Sequence, residues 1–268
     1  MSRSRRYVLL GTVLAALAGV ALVTNFTSAV AKALSWTPSP EEIANEAAHA
    51  TGASTPSPIR ALMETADSMM DIPFREVVIA ASGHRVLPVN PTAPEDRLLL
   101  DHLTTAFDAL LLWINSPDSP TRGLRRINEA SSHVENELHR LLTNRDFTCS
   151  IPLSSTGKAQ RSGYPDLQLT HTPTGRVTYL DPKLFEATSR ASTLRTFYYE
   201  PDALTGKVQH DARHLLLGLS HDGNDGTWKF LGWELIDLHG FHVRLKAEFQ
   251  GSNKALYQEK LILKKSEP

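Results

Sequence analysis

Three side chains in this sequence have the types and spacing to act together: Asp166, Asp181 and Lys183. Asp166 closes a Tyr-Pro-Asp triplet at 164–166, and Asp181-Pro182-Lys183 follows beyond a turn at Pro173-Thr174-Gly175. Residues two apart in an extended strand point to one side. Asp181 and Lys183 therefore share a face, with Leu180, Pro182 and Leu184 on the other. A hairpin through the Pro-Thr-Gly turn brings Asp166 alongside them. Two carboxylates held close repel each other unless a cation lies between them. Their oxygens suit a hard divalent ion, magnesium or manganese, with Asp166 and Asp181 as ligands. Such an ion polarises a phosphoryl oxygen and lowers the pKa of a bound water. A lysine beside it orients that water and offsets charge in the transition state. The chemistry that such a set could do is phosphodiester hydrolysis. A surface hairpin with an ordinary ion pair would carry the same letters. Here the flanks Leu167, Val177, Leu180 and Leu184 are apolar, which places the charges at the edge of a core.

The elements that must position these groups follow from periodicity. Arg60–Met70 has helical spacing of its apolar residues, Val77–Ala80 reads as a short strand, and Glu95–Trp113 is a strongly amphipathic helix. Ser116-Pro117-Asp118-Ser119-Pro120 ends it. A further helix, Thr121–Leu142, carries the stripe Leu124, Ile127, Ser131, Val134, Leu138 and Leu141. Strands are expected at 147–153, 167–169, 177–185, 196–199, 214–219, 228–238 and 241–249, and a helix at 254–265. Residues 59–120 form a helical region of their own or pack onto the sheet that follows.

The order of a helix with glutamate, a strand with Pro-Asp, a hairpin and a strand with Asp-x-Lys resembles the PD-(D/E)XK nuclease superfamily, with its restriction-endonuclease-like fold. The resemblance spans roughly 121–253. It implies an α/β fold with a central mixed sheet flanked by helices, and magnesium-dependent hydrolysis of nucleic acid by an endonuclease, DNA ahead of RNA. Carried over residue by residue, Asp166 matches the first metal-binding aspartate, Asp181 the second acidic position and Lys183 the catalytic lysine. The family's helical glutamate falls on Glu135 or Glu137. Ser131 four before and Leu138 three after favour Glu135, and the helical wheel leaves Glu137 open. Pro182 replaces the usual apolar filler. It removes a ladder donor and so needs an edge, a bulge or a strand end. Arg190 and Arg195 behind the motif, with Lys246 and Asn253 in a segment like the closing segments of some restriction-type enzymes, are the candidate nucleic-acid contacts. A homodimer is a further expected assembly. The contrasting reading is a noncatalytic exported or anchored domain that keeps the fold.

Bulk composition adds limits. The chain has 268 residues with 28 Lys+Arg against 29 Asp+Glu, a formal net charge of -1, so any affinity for nucleic acid must come from a local cluster. The single cysteine, Cys149, excludes an intrachain disulfide. His210 and His214 have a zinc-ligand spacing only on a helix, and Leu215-Leu216-Leu217 argues for a strand. At the N-terminus, Arg3, Arg5 and Arg6 precede an apolar run, Tyr7–Val23, and Ala29-Val30-Ala31 fits a cleavage site. Ser4-Arg5-Arg6-Tyr7-Val8-Leu9 resembles a twin-arginine signal, with Val8 and Leu10 at its usual Phe and Lys positions. The expected organisation is 1–31 as signal peptide or membrane anchor, 32–58 as linker, 59–120 as helical region and 121–268 as nuclease-like domain. The protein is then exported, or held by a single span with its C-terminal part outside. Any membrane contact is through that N-terminal segment alone.

Overall fold

The computed structural model describes residues 58–194, 197–201, 206–246, 248 and 250–264, with Asp67 described by its backbone only. The expected signal or anchor at 1–31 and nearly all of the linker lie outside them. Among the described residues no helix is long and apolar enough to cross a membrane. The chain divides into two compact units, one of residues 70–244 and one combining the N-terminal segment through Met69 with 245–268. In the latter unit, helix α1 (Pro58–Ser68) is present and the Leu245 amide bonds the Met69 carbonyl.

The 70–244 unit is built on a mixed sheet. Its strands are β2 (Val86–Leu87), β3 (Phe147–Ser150), β4 (Leu167–His171), β5 (Arg176–Glu186), β6 (Ala212–His221) and β7 (Phe230–Asp237). The order is β2-β6-β5-β4-β3, with β7 also on β6. β5 and β6 are parallel over ten residue pairs, while β3–β4, β4–β5 and β6–β7 are antiparallel. The β4–β5 hairpin closes through the expected turn, where Gly175 takes φ 68° and its amide bonds the His171 carbonyl. A side chain at that positive φ would be strained, which is why glycine stands there. A separate two-residue pair joins β1 (Ile72–Pro73) to β8 (His242–Val243).

Alternating side chains of the sheet feed two cores. On one face lie helices α3 (Pro94–Ile114) and α4 (Ser131–Leu142). Leu103, Phe107 and Leu110 of α3 and Val134, Leu138 and Leu142 of α4 bury against Leu167, Leu169, Leu180, Leu215 and Leu217. A buried ion pair between Asp96 and Arg213 ties α3 to β6. Of the two arrangements open for the segment before residue 120, its long helix takes the second and packs on the sheet. On the other face, helix α2 (Phe74–Ser82) packs Phe74 and Val78 with Tyr164, Val177, Tyr179 and Val208.

Several local expectations are corrected. Residues 77–80 lie inside α2 rather than a strand. Their β-branched pair, Val77 and Val78, follows a glutamate in the first turn, and Phe74 and Val78 at i,i+4 give the buried face of a helix. The helix expected from Thr121 starts at Ser131, after a 3-10 turn at Ile127–Ala130. Thr121 is held by the Ser119 hydroxyl, a local bond that competes with helix. Residues 197–199 form no strand, and Thr196 lies outside the described residues. Among the described residues, the strand expected over 241–249 shrinks to His242–Val243. Among the described residues, the helix expected over 254–265 shrinks to α5 (Asn253–Leu256) and a 3-10 turn at Glu259–Leu261.

Candidate active site

β4 and β5 pair from His171↔Arg176 to Leu167↔Leu180. One further step in that register sets Asp166 opposite Asp181, on the sheet face away from Leu167 and Leu180. Pro182 lies past this last pairing, where β5 keeps a neighbour only on the β6 side, so its missing N–H is tolerated. Asp166 follows a cis Tyr164–Pro165 peptide. Lys183 Nζ lies 2.6 Å from Asp181 Oδ2 and 3.6 Å from Asp166 Oδ2. The lysine thus spans both carboxylates. The Asp181 side chain is only 2% exposed, and although its Oδ2 touches the ammonium, no contact there has hydrogen-bond geometry.

Electrostatics follow from that crowding. Burial raises the Asp181 pKa, Lys183 opposes this and Asp166 adds to it, with a net rise to about 7. Burial works to lower the Lys183 pKa, but Asp181 and Asp166 outweigh it and the net shift is upward. Lys183 is therefore a firmly protonated cation. Glu135 on α4 is raised by burial and by the charge of Asp166, with Arg161, Lys183 and Lys207 opposing. It belongs electrostatically to the same cluster, and Arg161 Nη1 reaches it at 3.6 Å. Glu137 does not join it. Its carboxylate is engaged by Arg140 one turn on, Nε to Oε2 at 3.0 Å. The structure therefore separates the two glutamates that the helical wheel left equal.

The other sequence candidates are dispersed. Arg190 pairs with Glu234 of β7. Glu234 stands opposite Gly218, and Gly218 opposite Lys183, so this pair shares the sheet row of the lysine. Arg195 lies outside the described residues. Lys246 and Asn253 belong to the other compact unit. There Lys246 pairs with Glu248 at 2.9 Å and Asn253 opens the short helix α5. Arg244 and Lys246 lie in no strand. His210 and His214 carry no helix between them, and β6 takes His214 into the core.

Sequence reading did not identify three groups around the acids. Lys207, whose pKa is lowered by burial, feels the fields of Asp166, Asp181 and Glu135. It was visible only as one of several basic residues after Lys183. Arg161 sits in a polar loop with no periodic signal. Tyr164 shares a 2.7 Å hydrogen bond with His214 Nδ1, and its ring packs edge-on to Phe74, Phe197 and Tyr199. Burial pushes His214 down to about 3, so the imidazole is neutral. This aromatic anchor fixes the chain two residues before Asp166. A groove of about 450 Å³ opens beside Glu135, with Arg161, His139, Ile151 and Leu167 in its walls.

The residues suit a divalent ion. The donors are carboxylate oxygens, and one of them is buried without a directed hydrogen bond. Among the described residues, no group of three or more His, Cys, Asp or Glu forms a ready metal cage. Magnesium does not need one, because one or two carboxylates with waters and substrate phosphates complete its shell.

Comparison with known proteins gives a consistent result. Residues 68–260 match the type II restriction enzyme MjaV family. The type II restriction enzyme MjaV of Methanocaldococcus jannaschii is 28% identical over 202 residues, which cover 72% of this chain and 87% of that enzyme.

Proposed function

The chain belongs to the type II restriction enzyme MjaV family, and we propose that it is a metal-dependent DNA endonuclease of the PD-(D/E)XK superfamily. Its site would be Glu135, Asp166, Asp181 and Lys183. The observation that carries this reading is the Lys183 ammonium spanning the carboxylates of Asp166 and Asp181 at the open end of the β4–β5 pairing.

Asp166 and Asp181 would hold magnesium or manganese. When bound, the ion supplies Lewis acidity toward a phosphoryl oxygen and a water of lowered pKa. The chain's own groups do the rest. Lys183 keeps its proton and is placed to orient the attacking water or to offset charge on the phosphoryl group as the bond to the leaving sugar oxygen breaks. Glu135 supplies a third carboxylate from the opposite layer, and its raised pKa suits it to share a proton with that water. Arg190, Arg195, Lys246 and Asn253 are our candidates for contacts to the nucleic acid, and a homodimer is the assembly we propose. The N-terminal segment would export or anchor the protein, so that it meets incoming DNA.

Incubation of the purified protein with duplex DNA and RNA in magnesium, manganese or chelator tests this. Cleavage of DNA that needs the metal and disappears in Asp181→Asn supports it. A folded protein that cleaves no nucleic acid under any of these conditions leaves the noncatalytic reading in its place.

A further inference from the structure

We infer, resting on the metal-site reading above, that Lys207 is a resident counter-cation of the carboxylate cluster and sets how readily a divalent ion enters it. Lys207 arrives from the β5–β6 connection, a different part of the chain from Lys183. Its backbone is fixed on both sides. The Ser155 amide and the Gln209 side chain both donate to the Gly206 carbonyl, and Val208 is buried beside Tyr164 and Tyr179. The lysine is 4% exposed, and its Nζ donates to the Gln160 carbonyl at 3.3 Å. The next residue, Arg161, contacts Glu135 and donates to Asn136.

An ammonium has three protons to place, and burying it away from anions is costly. One carbonyl does not answer that need. The acids whose fields favour its charged form are Asp166, Asp181 and Glu135, the members of the candidate site. Lys183 and Arg161 contact these carboxylates, and Lys207 shares their field. Lys183 and Arg161 are partly exposed. Lys207 is buried and held by its neighbours. It therefore keeps the metal-free cluster near neutral, and it repels any cation that enters.

This predicts a gain on removal. Mn²⁺ binding, read from the free-ion electron paramagnetic resonance signal without DNA, should be roughly tenfold tighter in Lys207→Met than in wild type, because one like charge is gone. Lys207→Arg keeps the charge and should bind within about twofold of wild type. Should Lys207→Met not fold, Lys207→Gln gives the same comparison. In the wild-type chain, bound Mn²⁺ should also broaden the Lys207 side-chain nuclear magnetic resonance signal. Unchanged or weaker Mn²⁺ binding in the folded neutral variants, or a Lys207 signal untouched by bound Mn²⁺, overturns the inference. If wild type binds Mn²⁺ and cleaves DNA while the variants bind no tighter, only the role of Lys207 falls. If neither wild type nor the neutral variants bind Mn²⁺, the metal-site reading falls with it.

Discussion

Asp181→Asn should stabilise the metal-free protein while it destroys the site. In the unfolded chain an aspartate ionises with its ordinary value of 3.8, whereas in the fold burial and Asp166 raise Asp181 to about 7. Between these values the folded state binds one more proton than the unfolded state, so stability falls as pH rises through that window. Carried across the window this is about 4 kcal/mol at most, fully present above pH 7. Asparagine is isosteric and uncharged, and it removes that burden. Lys183 is not orphaned, because it is partly exposed and Asp166 remains 3.6 Å away. Urea unfolding at pH 8 with chelator should therefore give the variant a higher midpoint, worth about 2–4 kcal/mol. At pH 4 the two proteins should converge. Added magnesium should raise the wild-type midpoint and leave that of the variant in place. A variant less stable than wild type at pH 8 would refute the reasoning. Asp181 would then be half of a structural ion pair that the fold needs, rather than a charge stored for function.

Other outcomes follow from the same geometry. Lys183→Met should lower the cleavage rate by about 3–4 kcal/mol of transition-state stabilisation, two to three orders of magnitude, with Mn²⁺ binding retained; loss of both together would assign the lysine to structure. Glu135→Gln should abolish or strongly reduce cleavage, while Glu137→Gln, which loses only its Arg140 partner, should cleave like wild type in a plasmid-nicking assay. His214 is buried and neutral with a pKa of about 3 against an ordinary 6.5. A depressed histidine makes stability fall as pH drops below 6.5, because the unfolded chain gains the proton first. The test uses Asp181→Asn as background, since Asp181 slopes the other way. There the urea midpoint should drop between pH 6.5 and pH 4, and adding His214→Gln should flatten that drop. N-terminal sequencing after cell fractionation should find a chain beginning near Lys32 or one retained in the membrane through Tyr7–Val23; soluble cytoplasmic protein with an intact N-terminus would count against both.

The sheet and the central trio were legible because their signals are local. Strand parity put Asp181 and Lys183 together, and Pro173-Thr174-Gly175 fixed the hairpin that brings in Asp166. The long helix α3 announced itself by an uninterrupted apolar stripe between prolines. What failed was decided by tertiary context. Val77–Ala80 has strand-like letters but shares one helical face with Phe74, whose burial wins. Glu135 and Glu137 are equivalent on a wheel; the small residue Ser131 and apolar Leu138 favour Glu135 in the sequence, and in the fold the position of Arg140 and the charge of Asp166 separate them. Lys207 and Arg161 lie on irregular connections, where no period says which way a side chain points. Lys207 meets the field of the acids from a connection well along the chain, and Arg161 reaches Glu135 from a different element.

The central claim is that Asp166 and Asp181 hold a divalent ion at a DNA phosphate, with Lys183 beside it. Anomalous diffraction from crystals of the protein with Mn²⁺ and a non-cleavable DNA duplex tests it most directly. The account predicts a manganese peak within bonding distance of both carboxylates and of one phosphate oxygen, with Lys183 Nζ turned to that phosphate. A duplex lying elsewhere on the protein, or manganese bound away from Asp166 and Asp181, would contradict it.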